Sequence, residues 1–150
     1  MTLSGRFRLT EAGGPRRTCG KFAMWMSENQ ETLNKYFRAD LFPGSLNVDI
    51  DSAGASLHLQ LDRAEPSPAF TIPRRELRAM SPYLGDGQAW RISLSAERIS
   101  PPHECWVFRR IGSKVPANVL EIVSTLAIVP TFGLRHGEDL ELVFLTSTDK

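Results

Sequence analysis

Ser45 and Asn47 stand two residues apart in the stretch Leu41 to Ile50, LFPGSLNVDI, where Leu46, Val48 and Ile50 alternate with polar residues. Alternation at period two predicts a strand, and in a strand residues two apart share a face. A hydroxyl and an amide oxygen can therefore converge on one hard cation, or simply hydrogen-bond the turn after Gly44. Glu121 is set in an apolar run between Leu120 and Ile122. A carboxylate there must point outward or find a partner. Within hydrogen-bond reach of a hydroxyl, it can act as a general base. Arg16, Arg17 and Lys21 crowd one short stretch that can hold phosphate by charge or form a solvated basic loop. Arg74, Arg75 and Arg78, and also Arg109 and Arg110, can do the same, although such clusters are more often solvated faces. His103 follows Pro101 and Pro102 in an expected turn, with no serine and carboxylate arranged around it for nucleophilic catalysis. Trp106 alternates with Phe108 and reads as core.

The elements that must position these groups are mostly short strands. Phe7 and Leu9 alternate with Arg6 and Arg8, and Phe22, Met24 and Met26 alternate after a glycine-containing loop, which predicts two strands. Ser27 with Gln30 matches a capping box, and Leu33, Tyr36 and Phe37 follow at helical spacing, so a helix is expected over 27–38, ending before Pro43. The strand at Leu46–Ile50 and the alternation of Leu57, Leu59 and Leu61 read as a hairpin. The proline-bearing stretch 63–88 is expected to be mostly loop, with a short helix near Arg74–Met80. Further strands are expected at Trp90–Leu94, at Cys105–Phe108 and at Leu140–Phe144 after a turn at His136–Gly137. Val119–Ile128 cannot be classified by periodicity.

Six or more short strands and one interrupting helix, with no repeat or linker, predict a single mainly β domain over 1–150, closed or nearly closed into a barrel that hides its strand edges. At 150 residues the chain is long enough for a real core without disulfides. Cys19 and Cys105 have no zinc-type spacing and are expected to be free thiols. The formal charge of +1 supplies no whole-molecule field for nucleic acid or an anionic membrane. The N-terminal MTLSGRFRLT has no long apolar stretch, so a cytoplasmic location is expected.

The order Gly20-Lys21-Phe22, Tyr36-Phe37 and Pro43-Gly44-Ser45-Leu46-Asn47-Val48 resembles the archaeal CTP-dependent riboflavin kinases, whose strand-loop-strand and helix lead into a P-x-G-T-L-N motif. A second block, Glu121-Ile122-Val123 followed by Gly133-Leu134-Arg135-His136-Gly137-Glu138-Asp139, resembles the family's C-terminal motifs. The resemblance implies a six-stranded cradle-loop barrel with one or two short helices, and transfer of a nucleotide γ-phosphate to riboflavin to give FMN. It places Mg²⁺ on Ser45 and Asn47, the flavin on Ser113 and Glu121, and the nucleotide on Arg16, Arg17, Thr18, Cys19, Gly20 and Lys21. A ribityl hydroxyl would be the partner that Glu121 needs. Phosphoryl transfer asks for this kind of inventory, a metal, phosphate donors and an orienting group, because it is catalysed by positioning and charge.

The chain departs from the family on the nucleotide side. Arg16-Arg17-Thr18-Cys19 replaces most of a glycine-rich loop, and Leu126-Ala127-Ile128-Val129-Pro130 replaces a segment that carries an arginine. The donor therefore need not be CTP. An inactive flavin- or nucleotide-binding module of the same fold is the alternative expectation.

Overall fold

The computed structural model describes residues 2–7, 22–50, 60–61, 66–78, 84–113 and 119–145. Its strands are β1 (Thr2–Phe7), β2 (Leu46–Ile50), β3 (Phe70–Ile72), β4 (Gly87–Ala96), β5 (Ile99–Arg110), β6 (Val119–Val123) and β7 (Asp139–Phe144). Neighbours run β3-β4-β5-β6-β2-β1-β7, and a further β4–β7 pairing closes the ring. Six antiparallel strands thus form a closed barrel, while β3 pairs with the Gly87–Ala89 end of β4, outside the stretch that β7 occupies. Closure leaves the six barrel strands paired on both sides, which is the physical gain of the architecture.

Alternation decides which side chains fill the barrel. Leu46, Val48 and Ile50 from β2, Ile92 and Leu94 from β4, Leu120 and Ile122 from β6, and Leu140, Leu142 and Phe144 from β7 form the interior core. The intervening residues of β2 and β6, Asn47 and Glu121 among them, face outward. Two helices cover that outer face: α1 over 22–28 and α2 (Gln30–Phe37). Trp25, Met26, Leu33 and Phe37 pack there against Ala89, Phe108 and Val123 in a second apolar cluster. A last short helix, α3 (Ile128–Phe132), ends at Gly133 in the left-handed conformation.

Several local expectations are corrected. Phe22, Met24 and Met26 do not form a strand, because the segment is helical: Trp25, Met26, Asn29 and Leu33 are buried at helical spacing, while Met24 is 65% exposed. Ser27 lies inside α1 and caps nothing. Asn29 marks the break between the helices, and Gln30 Nε2 donates to Asn34 Oδ1 (2.8 Å) and the Leu41 carbonyl (2.9 Å). Gln60 and Leu61 are helical rather than the end of a hairpin strand, yet Leu61 still reaches the interior core; 57–59 lie outside the described residues. β3 occupies part of the expected loop, and the expected helix near Arg74 is a single 3₁₀ turn, Arg74–Glu76. His103 is within β5 rather than in a turn.

Buried Asn29 holds the helical cover to the rest of the molecule. Its Nδ2 donates to the Trp25 carbonyl (2.9 Å) and the Arg78 carbonyl (3.3 Å), and its Oδ1 accepts from Arg78 N (2.8 Å). Trp25 Nε1 also donates to the Arg78 carbonyl. These bonds tie α1, and with it one wall of the candidate site, to the segment after the 3₁₀ turn.

Candidate functional site

Between α1 and the outer face of β5 and β6 is a cavity of about 190 Å³. Pockets for drug-sized molecules commonly span roughly 300–1,000 Å³, so a whole flavin would fill it and extend through its open mouth. Phe22 and Trp25 from α1 and Phe108 from β5 supply the aromatic walls, with Phe22 stacked on Trp25 at 5.7 Å and Trp25 tilted against Phe108 at 5.9 Å. Gly87 makes room for the Phe108 ring, since a β-carbon there would lie 2.9 Å from its Cζ.

The same cavity is lined by Ser113 and Glu121, the two residues that the resemblance assigns to a flavin. Ser113 is brought in by the turn that ends β5. Gly112 adopts φ 83°, a conformation open to glycine at no steric cost, and Ser113 N donates to the Arg110 carbonyl (3.0 Å). Glu121 sits mid-strand in β6, enclosed by protein except where it borders the cavity. Burial pushes its carboxyl up from 4.5 to about 7. Near neutral pH it is divided between an acid and a base, the condition in which a carboxylate exchanges protons most usefully.

Asn47 is the direct cross-strand partner of Glu121 in the antiparallel β2–β6 ladder, and it is 9% exposed. Side chains in such a pair share a face with Cβ atoms about 4.5–5.5 Å apart. Ser45, immediately before β2, borders a second cavity with Ala23, Gly44 and the 126–130 segment. Of the metal residues of the resemblance, Asn47 stands beside Glu121, and Ser45, two residues before it, borders the second nucleotide segment. Phe22 and Ala23, adjacent in α1, line one cavity each. The hydroxyl, amide and carboxyl of Ser45, Asn47 and Glu121 offer only oxygen donors toward a cation, which is the chemistry Mg²⁺ prefers. No cluster of three or more His, Cys, Asp or Glu suited to a metal occurs among the described residues.

Arg16, Arg17, Thr18, Cys19, Gly20 and Lys21 lie outside the described residues. Arg74, Arg75 and Arg78 are exposed, in agreement with a solvated face, but Arg110 is not: it is 6% exposed and lines the aromatic cavity. The sequence signal for it was a basic pair at a strand end; Arg109 borders the same cavity but stays partly exposed. His103 stands beside a serine. Its Nε2 lies 2.7 Å from Ser124 Oγ, and that oxygen accepts from Leu126 N (3.0 Å). Ser124 is 2% exposed, and the pair clasps β5 to the segment after β6. Trp106 is half-buried rather than fully in the core, and Cys105 is a buried free thiol whose pKa burial raises.

No family model matches the chain, and no curated protein has a significantly similar sequence. No helix among the described residues is long and apolar enough to cross a membrane. Fold and site together define a closed β-barrel with a small aromatic-walled cavity on its outer face, bordered by the Glu121 carboxyl and the buried Arg110.

Proposed function

We propose that the chain is a riboflavin kinase-like phosphotransferase that moves a nucleotide γ-phosphate to riboflavin, giving FMN. The observation that carries this reading is the convergence of Ser113 and Glu121 on one aromatic cavity, with Asn47 directly across the ladder from Glu121. Phe22, Trp25 and Phe108 offer ring surfaces to a planar flavin. Glu121 takes the proton from the ribityl hydroxyl as its oxygen bonds to the γ-phosphorus and the nucleoside diphosphate leaves. Ser45 and Asn47 would hold Mg²⁺, which when bound supplies charge neutralisation on the donor phosphates. The 16–21 stretch is the proposed phosphate loop, and the donor is not restricted to CTP. Cytoplasmic placement, a flavin and a nucleotide as small-molecule partners, and the absence of a nucleic-acid or membrane role belong to the same reading.

One observation favours a second reading, a flavin-binding module without turnover. The described lining of the second cavity, where Ser45 meets the 126–130 segment, includes no cationic side chain, and Pro130 within α3 has no N–H to offer a phosphate. Incubation of the purified chain with riboflavin, Mg²⁺ and each of CTP, ATP, GTP and UTP separates the two. FMN formed with at least one donor supports the kinase, and its absence with all four rejects it. Tight riboflavin binding in that same preparation then supports the module.

A further inference from the structure

Arg110 is the least satisfied charged group in the described structure. Its Nε donates to the Gly85 carbonyl (2.9 Å) and its guanidinium lies over the Trp25 ring at 5.3 Å, but Nη1 and Nη2 are buried with no hydrogen-bond partner. Burial pulls its pKa down, and Arg74 adds to the effect. Unpaired charged donors held away from water are costly, and a cation with its Nε and ring contacts already made has only its two terminal nitrogens left to satisfy. Those nitrogens form a planar fork, suited to two adjacent acceptor atoms on one partner. The side chain carrying them lines the aromatic cavity.

We propose that Arg110 is a binding residue of this cavity, its guanidinium fork engaging a pair of adjacent acceptor atoms on a planar aromatic ligand held among Phe22, Trp25 and Phe108. This rests on the reading of the cavity as a flavin site and adds to it a determinant of which planar ligands are accepted. Because the terminal nitrogens are sealed in the ligand-free protein, docking requires the guanidinium to swing or Trp25 to turn. Lysine cannot replace the fork, since an ammonium group has no planar donor pair.

A flavin can supply the acceptor pair from its ring edge or, as FMN, from its phosphate. The test titrates lumichrome (the ring without a chain), riboflavin and FMN into the wild-type chain, Arg110→Met and Arg110→Lys, following flavin and tryptophan emission, with thermal melts of each variant without ligand. Loss of at least about tenfold in affinity for all three probes in both variants is expected, as two charge-assisted bonds are lost. Arg110→Met should melt no more than a few degrees below wild type, since it removes an unpaired buried charge along with one good bond. Weakening confined to FMN assigns the pair to the phosphate. Wild-type binding with affinities unchanged within about twofold in both variants overturns the role of Arg110 and leaves the flavin reading standing. No binding of any probe to wild type overturns both. If Arg110→Met fails to fold, Arg110→Lys, which keeps the charge, decides the question.

Discussion

Asn47 and Glu121 face each other directly across the β2–β6 ladder, on the outer side of a barrel whose inner side is wholly apolar at the neighbouring rungs Leu46↔Ile122 and Val48↔Leu120. An amide opposite a carboxyl supplies no counter-charge, and burial raises the carboxyl to about 7. The pairing thus puts a proton-accepting group and a neutral oxygen donor side by side beneath α1.

The raised carboxyl makes stability depend on pH. Between 4.5 and about 7 the folded chain holds a proton on Glu121 that the unfolded chain has lost, so stability falls as pH rises through this window. Glu121→Gln should abolish that fall, matching wild type near pH 4 and exceeding it at pH 8 by at most about 3 kcal/mol. Urea unfolding at both pH values measures the difference. Equal midpoint shifts at pH 4 and pH 8 would contradict the assignment.

If Glu121 is the base, FMN formation should rise with pH through about 7 and lose that limb in Glu121→Gln. The pH profile of kcat/KM for riboflavin reports it. A profile unchanged by the substitution removes Glu121 from the chemistry.

Asn47→Ala should cut Mg²⁺-dependent turnover by roughly ten- to hundredfold while leaving riboflavin affinity within about twofold. Turnover as a function of Mg²⁺ concentration, set beside a flavin titration, separates the two effects. A parallel loss of both would place Asn47 on the flavin instead of the metal.

In the His103–Ser124 clasp the Ser124 oxygen accepts from Leu126 N, and its hydroxyl hydrogen is suited to a neutral imidazole as acceptor. Burial lowers the His103 pKa, so this contribution is complete above 6.5 and is lost as the pH falls below it. Ser124→Ala should cost about 1–3 kcal/mol at pH 7.5, and His103→Gln should flatten stability between pH 7.5 and 5. Both are read by denaturant titration, and an unchanged Ser124→Ala midpoint would show the bond to be energetically idle.

Gly5 in β1 lies where a β-carbon would come 2.6 Å from the Asp49 carbonyl oxygen and 2.8 Å from Val48 Cγ1. Backbone of a paired strand cannot retreat cheaply. Gly5→Ala should therefore destabilise the barrel by about 1–3 kcal/mol, seen as a lower melting temperature without loss of the remaining fold. A melting temperature equal to wild type would mean that β1 and β2 separate more easily than their register implies.

Period-two alternation was sufficient where a strand buries one face against one core. It located β2, half of β4, part of the second half of β5 and nearly all of β7, because in those segments side-chain direction follows from position alone. It misled at Phe22-Ala23-Met24-Trp25-Met26, where apolar residues are so dense that periods of two and near four both fit. Only packing against Phe108 and Val123 selects the helical set. The 27–38 helix was legible in its apolar spacing but not in its start, since Ser27 belongs to the preceding helix and buried Asn29 marks the break.

The candidate site divides the same way. Sequence alone determined the residue types, an oxygen pair at Ser45 and Asn47, a carboxyl stranded in an apolar run, basic pairs, and the alternation that makes a mainly β domain. The tertiary structure decided which of them meet. Register set Asn47 against Glu121, the end of β5 turned Ser113 into the cavity, and β5 with α1 buried Arg110 where its neighbour Arg109 stays half-exposed. The reason is that strand pairing and helix docking join residues far apart along the chain, and the burial that shifts a carboxyl or strands a guanidinium exists only once those distant surfaces have closed over it.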